Sequence, residues 1–215
     1  MKNKSLLLLL ALLPVSFIAQ KKITIMPSIG YAWRVAELPD NLPQNSRDFL
    51  KQLKTGMTYD LAAYYPVNST LGLGAKFNLY TASANGSITM TTENQYVYSL
   101  ETVAKDQILF VGPSLLYSNF GEETPHKLFY ELALGLISYK SRLGGAEITG
   151  SNVGLSGDIG YMYAINPSFM IGPKLNFTAG TLSNLKVGNK RTNLGENEKE
   201  GLARVGLNLG AAFRF

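Results

Sequence analysis

The sequence contains no cysteine, one histidine and one tryptophan, and only 16% of its 215 residues are charged. Without cysteine there are no disulfides, no thiolate metal ligands and no lipid-modified N-terminal cysteine. The lone His126, beside Pro125, lacks the partners that a metal centre or a histidine-dependent nucleophile requires. No phosphate-cradling or metal-binding motif is present, so no catalytic residue, cofactor or metal is expected. Also missing beyond residue 20 is an apolar run of the roughly 20 residues that a membrane helix needs. Mean hydropathy stays near zero, at +0.03. No basic patch interleaved with aromatics appears, which argues against nucleic acid as a partner.

The N-terminus carries the single long apolar stretch. Lys2 and Lys4 precede a run from Leu6 to Leu13, Pro14 breaks it, and Val15, Ser16 and Ala19 form a short exit. This pattern marks residues 1–19 as a secretory signal peptide, with Phe17 larger than the usual residue three places before the cut. Removing Lys2 and Lys4 lowers the formal charge from +5 to 5 − 2 = +3. The mature segment, 20–215, reads as one domain.

That segment is rich in glycine (21), tyrosine (12) and phenylalanine (10), and it alternates. In Gly201 to Phe215 every odd position from Ala203 onward is apolar, a period of two that fits a strand crossing a bilayer. Seven further segments repeat the design. They run from Ile23 to Arg34, Thr55 to Tyr65, Leu71 to Tyr80, Leu109 to Tyr117, Leu128 to Tyr139, Val153 to Tyr163 and Phe169 to Gly180. The connections between the eight are long, short, long, short, medium, short and long, which places every short turn on the side of the termini. The expected fold is all-β, an eight-stranded antiparallel transmembrane barrel with up-and-down meander topology. Tyr96, Val97, Tyr98 and Leu100 in the second long connection, Ala82 to Asp106, either extend a hairpin or add a strand pair, which gives ten strands as the alternative.

Two features decide which face is inside. The less greasy face carries Gly56, Gly72, Gly74, Gly112, Gly135, Gly154, Gly160, Gly172, Gly180, Gly206 and Gly210, which suit a cramped interior and not a water-washed surface. Aromatics also gather in two bands. Tyr65, Tyr117, Tyr161, Tyr163, Phe169, Phe213 and Phe215 lie toward the short turns, and Tyr31, Trp33, Tyr59 and Phe177 toward the long loops. Turning charges outward near the midplane would cost about 2–4 kcal/mol for each Lys or Arg. Asp60, Lys76, Glu131, Asp158, Lys174, Arg204 and Arg214 therefore point inward and form a lumen charge network. Pro27, Pro113 and Pro173 interrupt strands, and Gly112-Pro113 and Gly172-Pro173 are expected to form bulges.

The signal peptide, the alternating strands, the GPxL segments at Gly112 to Leu115 and Gly172 to Leu175, and the terminal Phe215 together resemble the outer-membrane β-barrel domain family of Gram-negative bacteria, the small PorT-like and OmpX-like barrels. The resemblance covers residues 20 to 215. It implies location in the bacterial outer membrane after export, contact with outer-membrane lipids and lipopolysaccharide, and mostly non-enzymatic roles. It further implies that Leu207 to Phe215, with Phe213 and Phe215, is the signal read by the barrel-assembly machinery.

The loops are the remaining candidates for binding. In the first, Glu37 to Lys54, Asn45 or Ser46 is a possible helix cap, and a loop packing on itself is favoured over Phe49, Leu50 and Leu53 covering the barrel mouth. In the last, Ser183 to Glu200, solvation of Lys186, Lys190 and Arg191 beside Glu196, Glu198 and Glu200 is favoured over contact with lipopolysaccharide phosphates. The functional expectation is a plugged, polar-lumened structural or surface-interaction protein or an accessory subunit with an envelope protein partner. The alternative is a narrow channel for small solutes or ions.

Overall fold

The computed structural model describes residues 23–36, 38, 42–91, 97–188, 190–193 and 200–215. The signal segment, Tyr96, Glu196 and Glu198 lie outside them. Strands β1 (Thr24–Arg34), β2 (Thr55–Pro66), β3 (Leu71–Thr91), β4 (Val97–Ser118), β5 (His126–Leu143), β6 (Ala146–Asn166), β7 (Phe169–Leu182) and β11 (Arg204–Arg214) form the wall. Each pairs antiparallel with the next, and β11 closes on β1, so the barrel has eight strands and no free edge in its wall. Helix α1 (Gln44–Leu53) lies between β1 and β2, and the short strands β8 (Asn184–Val187), β9 (Lys190–Asn193) and β10 (Glu200–Gly201) between β7 and β11.

Closure satisfies the backbone of every wall strand through its neighbours, the condition for crossing hydrocarbon with strands. The outward face is what hydrocarbon requires. Leu132, Leu134 and Leu136 on β5 are 57–64% exposed, and Leu209 on β11 is 57% exposed, while Glu131, Ala133 and Asn208 between them are buried. At mid-barrel the arrangement is thus inside out, with leucines facing outward and charges facing inward.

One alternative is settled and three sequence expectations are corrected. The second long connection extends a hairpin and does not add a strand pair, because β3 and β4 run on paired from Ala82↔Asp106 to Thr91↔Val97. Ala82, Ala84, Thr102 and Ala104 point inward and Ser83, Asn85, Glu101, Val103 and Lys105 outward, so the polarity contrast of the membrane region is lost there and the segment reads as loop. The medium connection at Gly144 to Ser151 is also strand. It shrinks to Gly144-Gly145, whose φ of +53° and +89° form the tight turn that glycine favours. The last long loop contains the hairpin β8–β9, which extends β6 through Thr149↔Lys186. Finally, Gly112-Pro113 and Gly172-Pro173 are not bulges. Register is unchanged across them, from Val111↔Leu136 to Ser114↔Ala133 and from Gly160↔Lys174 to Tyr163↔Ile171. Each proline keeps its partner on one neighbour, Ala75 and Leu209 respectively, and the ladder lapses only toward the other. The register shift that does occur is between Ala164 and Asn166, beside the last turn.

Inside, glycines face large side chains across the strand pairs. A Cβ on Gly160 would lie 2.3 Å from the Phe129 ring, its register partner, and one on Gly180 would lie 2.8 Å from Ile137. Replacing Gly160 with Val is therefore expected to overpack the lumen and cost about 1–3 kcal/mol. Leu132→Arg on the lipid face is expected to cost about 2–4 kcal/mol at mid-membrane depth, against under half that for Leu132→Ala. Urea unfolding in phospholipid vesicles, followed by the fluorescence of Trp33, measures both.

Candidate functional site: the closed lumen and its charge network

Alternation delivers one inward side chain every second residue, and five strands each contribute one ion at mid-barrel: Asp60 from β2, Lys76 from β3, Glu131 from β5, Asp158 from β6 and Lys174 from β7. The Lys76 ammonium lies 3.2 Å from Asp60, 2.9 Å from Glu131 and 2.5 Å from Asp158. Lys174 contacts Asp60 at 2.7 Å and Asp158 at 2.6 Å, with Glu131 at 3.7 Å. All five side chains are at most 1% exposed.

A shell of neutral donors completes the carboxylates. Tyr64 donates to Glu131 at 2.8 Å, Asn78 to Asp60 at 3.2 Å and Asn176 to Asp158 at 2.5 Å. Arg204 is not in direct contact with these carboxylates. It donates to Asn78 Oδ1 at 2.6 Å and lies 5.8 Å from the centre of the Tyr80 ring, so its charge reaches Asp60 through an amide. Three carboxylates against two ammoniums and one guanidinium leave the group formally neutral, the condition for burying it. Oxygens of Asp60, Glu131 and Asp158 approach within 4.8 Å of one another, a spacing that could hold a cation. Lys76 fills that position.

Arg214 does not join the network. It sits at the turn-side end, where it donates to the Phe120 carbonyl. A separate pair that the sequence reading missed lies nearer the loops: Arg34 meets Asp106 at 3.1 Å, and Tyr139 donates to the same carboxylate oxygen. Asp106 was hidden because its segment read as loop. Tyr64, Asn78 and Asn176 carried a usable signal, since each shares the inward parity of the ions.

Apolar layers flank the ion cluster on both sides. Toward the turns, Met26, Tyr64, Leu116, Phe120, Phe129, Met162 and Met170 pack into an apolar layer. Toward the loops, Tyr80, Ile108, Phe110, Ile137, Leu182 and Leu202 form a second layer. Helix α1 closes it: Phe49 and Leu53, one turn apart, are 2% and 8% exposed within that layer. The helix therefore covers the mouth, where the sequence favoured a loop packing on itself. Asn45 and Ser46 do not cap the helix, which starts after Pro43 without a side-chain cap. They anchor it to β3 instead, Ser46 Oγ accepting from the Thr89 amide at 3.0 Å and Asn45 donating to Thr89 Oγ1 at 2.5 Å.

Outside, Tyr65, Tyr117, Tyr161, Tyr163, Phe213 and Phe215 face outward on the turn side, and Tyr31, Trp33, Tyr59 and Phe177 face outward toward the loops. Phe169 stacks on Phe213 at 5.1 Å. Tyr130, opposite Tyr117, belongs with the turn-side group and was omitted from it. His126 begins β5 and its Nδ1 lies 2.7 Å from the Tyr161 hydroxyl.

Removing one buried ion strands its partners. Lys76→Met is expected to cost about 3–5 kcal/mol, whereas Lys140→Met in the exposed Lys140–Glu147 pair should cost at most about 1 kcal/mol. Equilibrium unfolding of the refolded barrel distinguishes the two.

No protein-family model matches the chain, and no curated protein matches it in sequence. Solved structures do match. Neisserial surface protein A aligns with a TM-score of 0.55 at 16% identity, over 90% of this chain and 97% of its own. A major outer membrane protein from Thermus thermophilus gives 0.54 at 12% identity, over 91% and 100%. Outer membrane protein OprG from Pseudomonas aeruginosa gives 0.51 at 12% identity, over 91% and 97%. The closed eight-strand wall, its apolar exterior and these alignments agree: the chain has the fold of the outer-membrane β-barrels.

Proposed function

We propose that this chain is a bacterial outer-membrane barrel with a closed lumen, working as a non-enzymatic structural or surface-interaction protein or as an accessory subunit of an envelope complex. The observation that carries this reading is the ion cluster itself. Five charged side chains, brought to neutrality by the nearby Arg204 and held between two apolar layers, fill the middle of the lumen where a solute would have to pass. Helix α1 adds a second seal. In this reading residues 1–19 direct export, and the aromatic C-terminal strand with Phe213 and Phe215 is presented to the barrel-assembly machinery.

The loop side then carries the function, because the wall offers only hydrocarbon-facing side chains and the lumen only filled space. Helix α1 and the β3–β4 hairpin form one packed platform, tied by the Asn45 and Ser46 contacts to Thr89.

Planar-bilayer recording on the refolded mature protein tests the closed lumen. The expected trace has no unitary steps across the physiological voltage range. Regular, ion-selective steps would sink this reading in favour of the narrow channel.

A further inference from the structure

The turn-side end of the barrel holds a cavity that neither the closed lumen nor the loop-side platform uses. Four consecutive wall strands each present one inward side chain near this mouth: Lys127 on β5, Ala164 on β6, Met170 on β7 and Arg214 on β11. Two cations thus flank an apolar floor. The turn between β4 and β5 forms the roof. Phe120 is buried with its ring 5.9 Å from that of Phe129, its carbonyl accepts from Arg214, and a Cβ on Gly121 would lie 3.0 Å from the Ser69 carbonyl oxygen. The turn therefore leans toward β2 and β3, and on the β6–β7 side a cavity of about 560 Å³ reaches in to Met170.

Both cations are short of partners. Lys127 is 3% exposed, and its ammonium donates to the Glu122 carbonyl at 2.5 Å and the Asn119 carbonyl at 3.4 Å. Two neutral acceptors hold it, and one of its three donors is left over. Arg214 uses one donor on Phe120, and its Nε is buried without a partner. Among the described residues neither has a carboxylate within ion-pair distance. The two repel one another across the floor. Glu122 and Glu123 line the same cavity but stand exposed at its lip.

Cations beside an apolar floor, with an acidic lip outside them, match the end of a peptide chain: its carboxylate innermost, its last side chain alongside, a basic residue further back. We propose that the turn-side mouth binds the free C-terminus of a protein tail, with the carboxylate accepting from Arg214 and Lys127, an apolar last side chain over Ala164 and Met170, and a basic residue shortly before it at Glu122 and Glu123. A carboxylate that accepts from Nε and one Nη of Arg214 together satisfies the donor now buried unpaired. A phosphate is the poorer occupant, since its second charge meets two glutamates at the lip and it leaves Met170 uncovered. The cavity falls within the roughly 300–1,000 Å³ usual for small-ligand sites, enough for a chain end and not for a folded domain. That the tail comes from the periplasm rests on the membrane-barrel reading above; the pocket itself does not.

Isothermal titration of the refolded full mature chain in detergent micelles tests it, with the peptide acetyl-Lys-Gly-Gly-Leu as the probe. The free acid should bind about tenfold more tightly than the same peptide with a C-terminal amide, the worth of one charge-assisted contact. Arg214→Gln should lose about the same factor. Ala164→Leu, which fills the floor and keeps both cations, should not bind. The control Lys51→Gln, on the exposed face of α1, should bind as the wild type does. Heat-modifiable gel migration establishes that each variant is folded, and the comparison of acid with amide needs no variant. Equal binding of acid and amide, undiminished binding by folded Arg214→Gln or Ala164→Leu, or displacement by inorganic phosphate at concentrations matching the peptide would each overturn the proposal. Protease-protected insertion into phosphatidylcholine vesicles is scored separately. Failure of the wild type to insert would remove the membrane-barrel reading, and the periplasmic tail with it. Equal binding of acid and amide with insertion intact would remove the peptide site alone.

Discussion

Eight strands close into a barrel whose interior is only wide enough for side chains to fill, and every inward charge must be neutralised within that width. Lys76 meets the requirement by touching three carboxylates from three other strands, and Lys174 by touching two of the same three. The arrangement depends on its neighbours' size as much as on charge. The apolar layers on either side keep water from screening the ions, which strengthens each contact and raises the penalty for leaving one unmade. Glycines supply the remaining room: without them at 160 and 180, Phe129 and Ile137 could not turn inward and the layers would not seal.

The outer half of the molecule obeys a different rule although the chain passes into it without a break. Above the bilayer the outside of a strand faces water and the inside faces helix α1, so outward positions become Ser83, Asn85 and Lys105 and inward ones Ala82, Ala84 and Ala104. Alternation persists, but its amplitude falls because the inward alanines are small and polar residues now stand on both faces. Helix α1 in turn needs those alanines, since Phe49 and Leu53 pack where larger inward residues would stand. Tyr80 joins the two regions by donating to the Leu53 carbonyl at 3.0 Å from the edge of the upper layer.

How much was legible in the sequence follows from this fall in contrast. The eight wall strands were readable because hydrocarbon imposes a strong period of two, and the inward ions because their outward placement is too costly. The extension of β6 was not, and that of β3 and β4 stood only as one of two readings, since a period is recognised by contrast and the contrast there is weak. The Arg34–Asp106 contact was lost with them. Arg204 was correctly inward, but nothing in the sequence distinguished a direct ion pair from one relayed through Asn78. The dry ends of the lumen were visible as Phe110, Leu116 and Phe129 at inward parity. A uniformly polar interior nevertheless follows from alternation alone, because alternation reports which face a residue occupies and not how deep it lies.

The ion cluster also constrains how the barrel reaches a single register. Asp60 and Lys174 lie 114 residues apart on β2 and β7, strands that are not neighbours, so their contact exists only after the sheet has curled closed. Adjacent hairpins could slip by two residues and keep every leucine outward, because the period of the wall is two. Such a slip would move one ion by about 6.8 Å and leave it among apolar side chains without its partners. The outward face thus selects parity, and the buried charges select one register among those that parity allows. The cost of burying five ions is offset by their mutual contacts only in the native closure, which makes the cluster a determinant of uniqueness more than of stability.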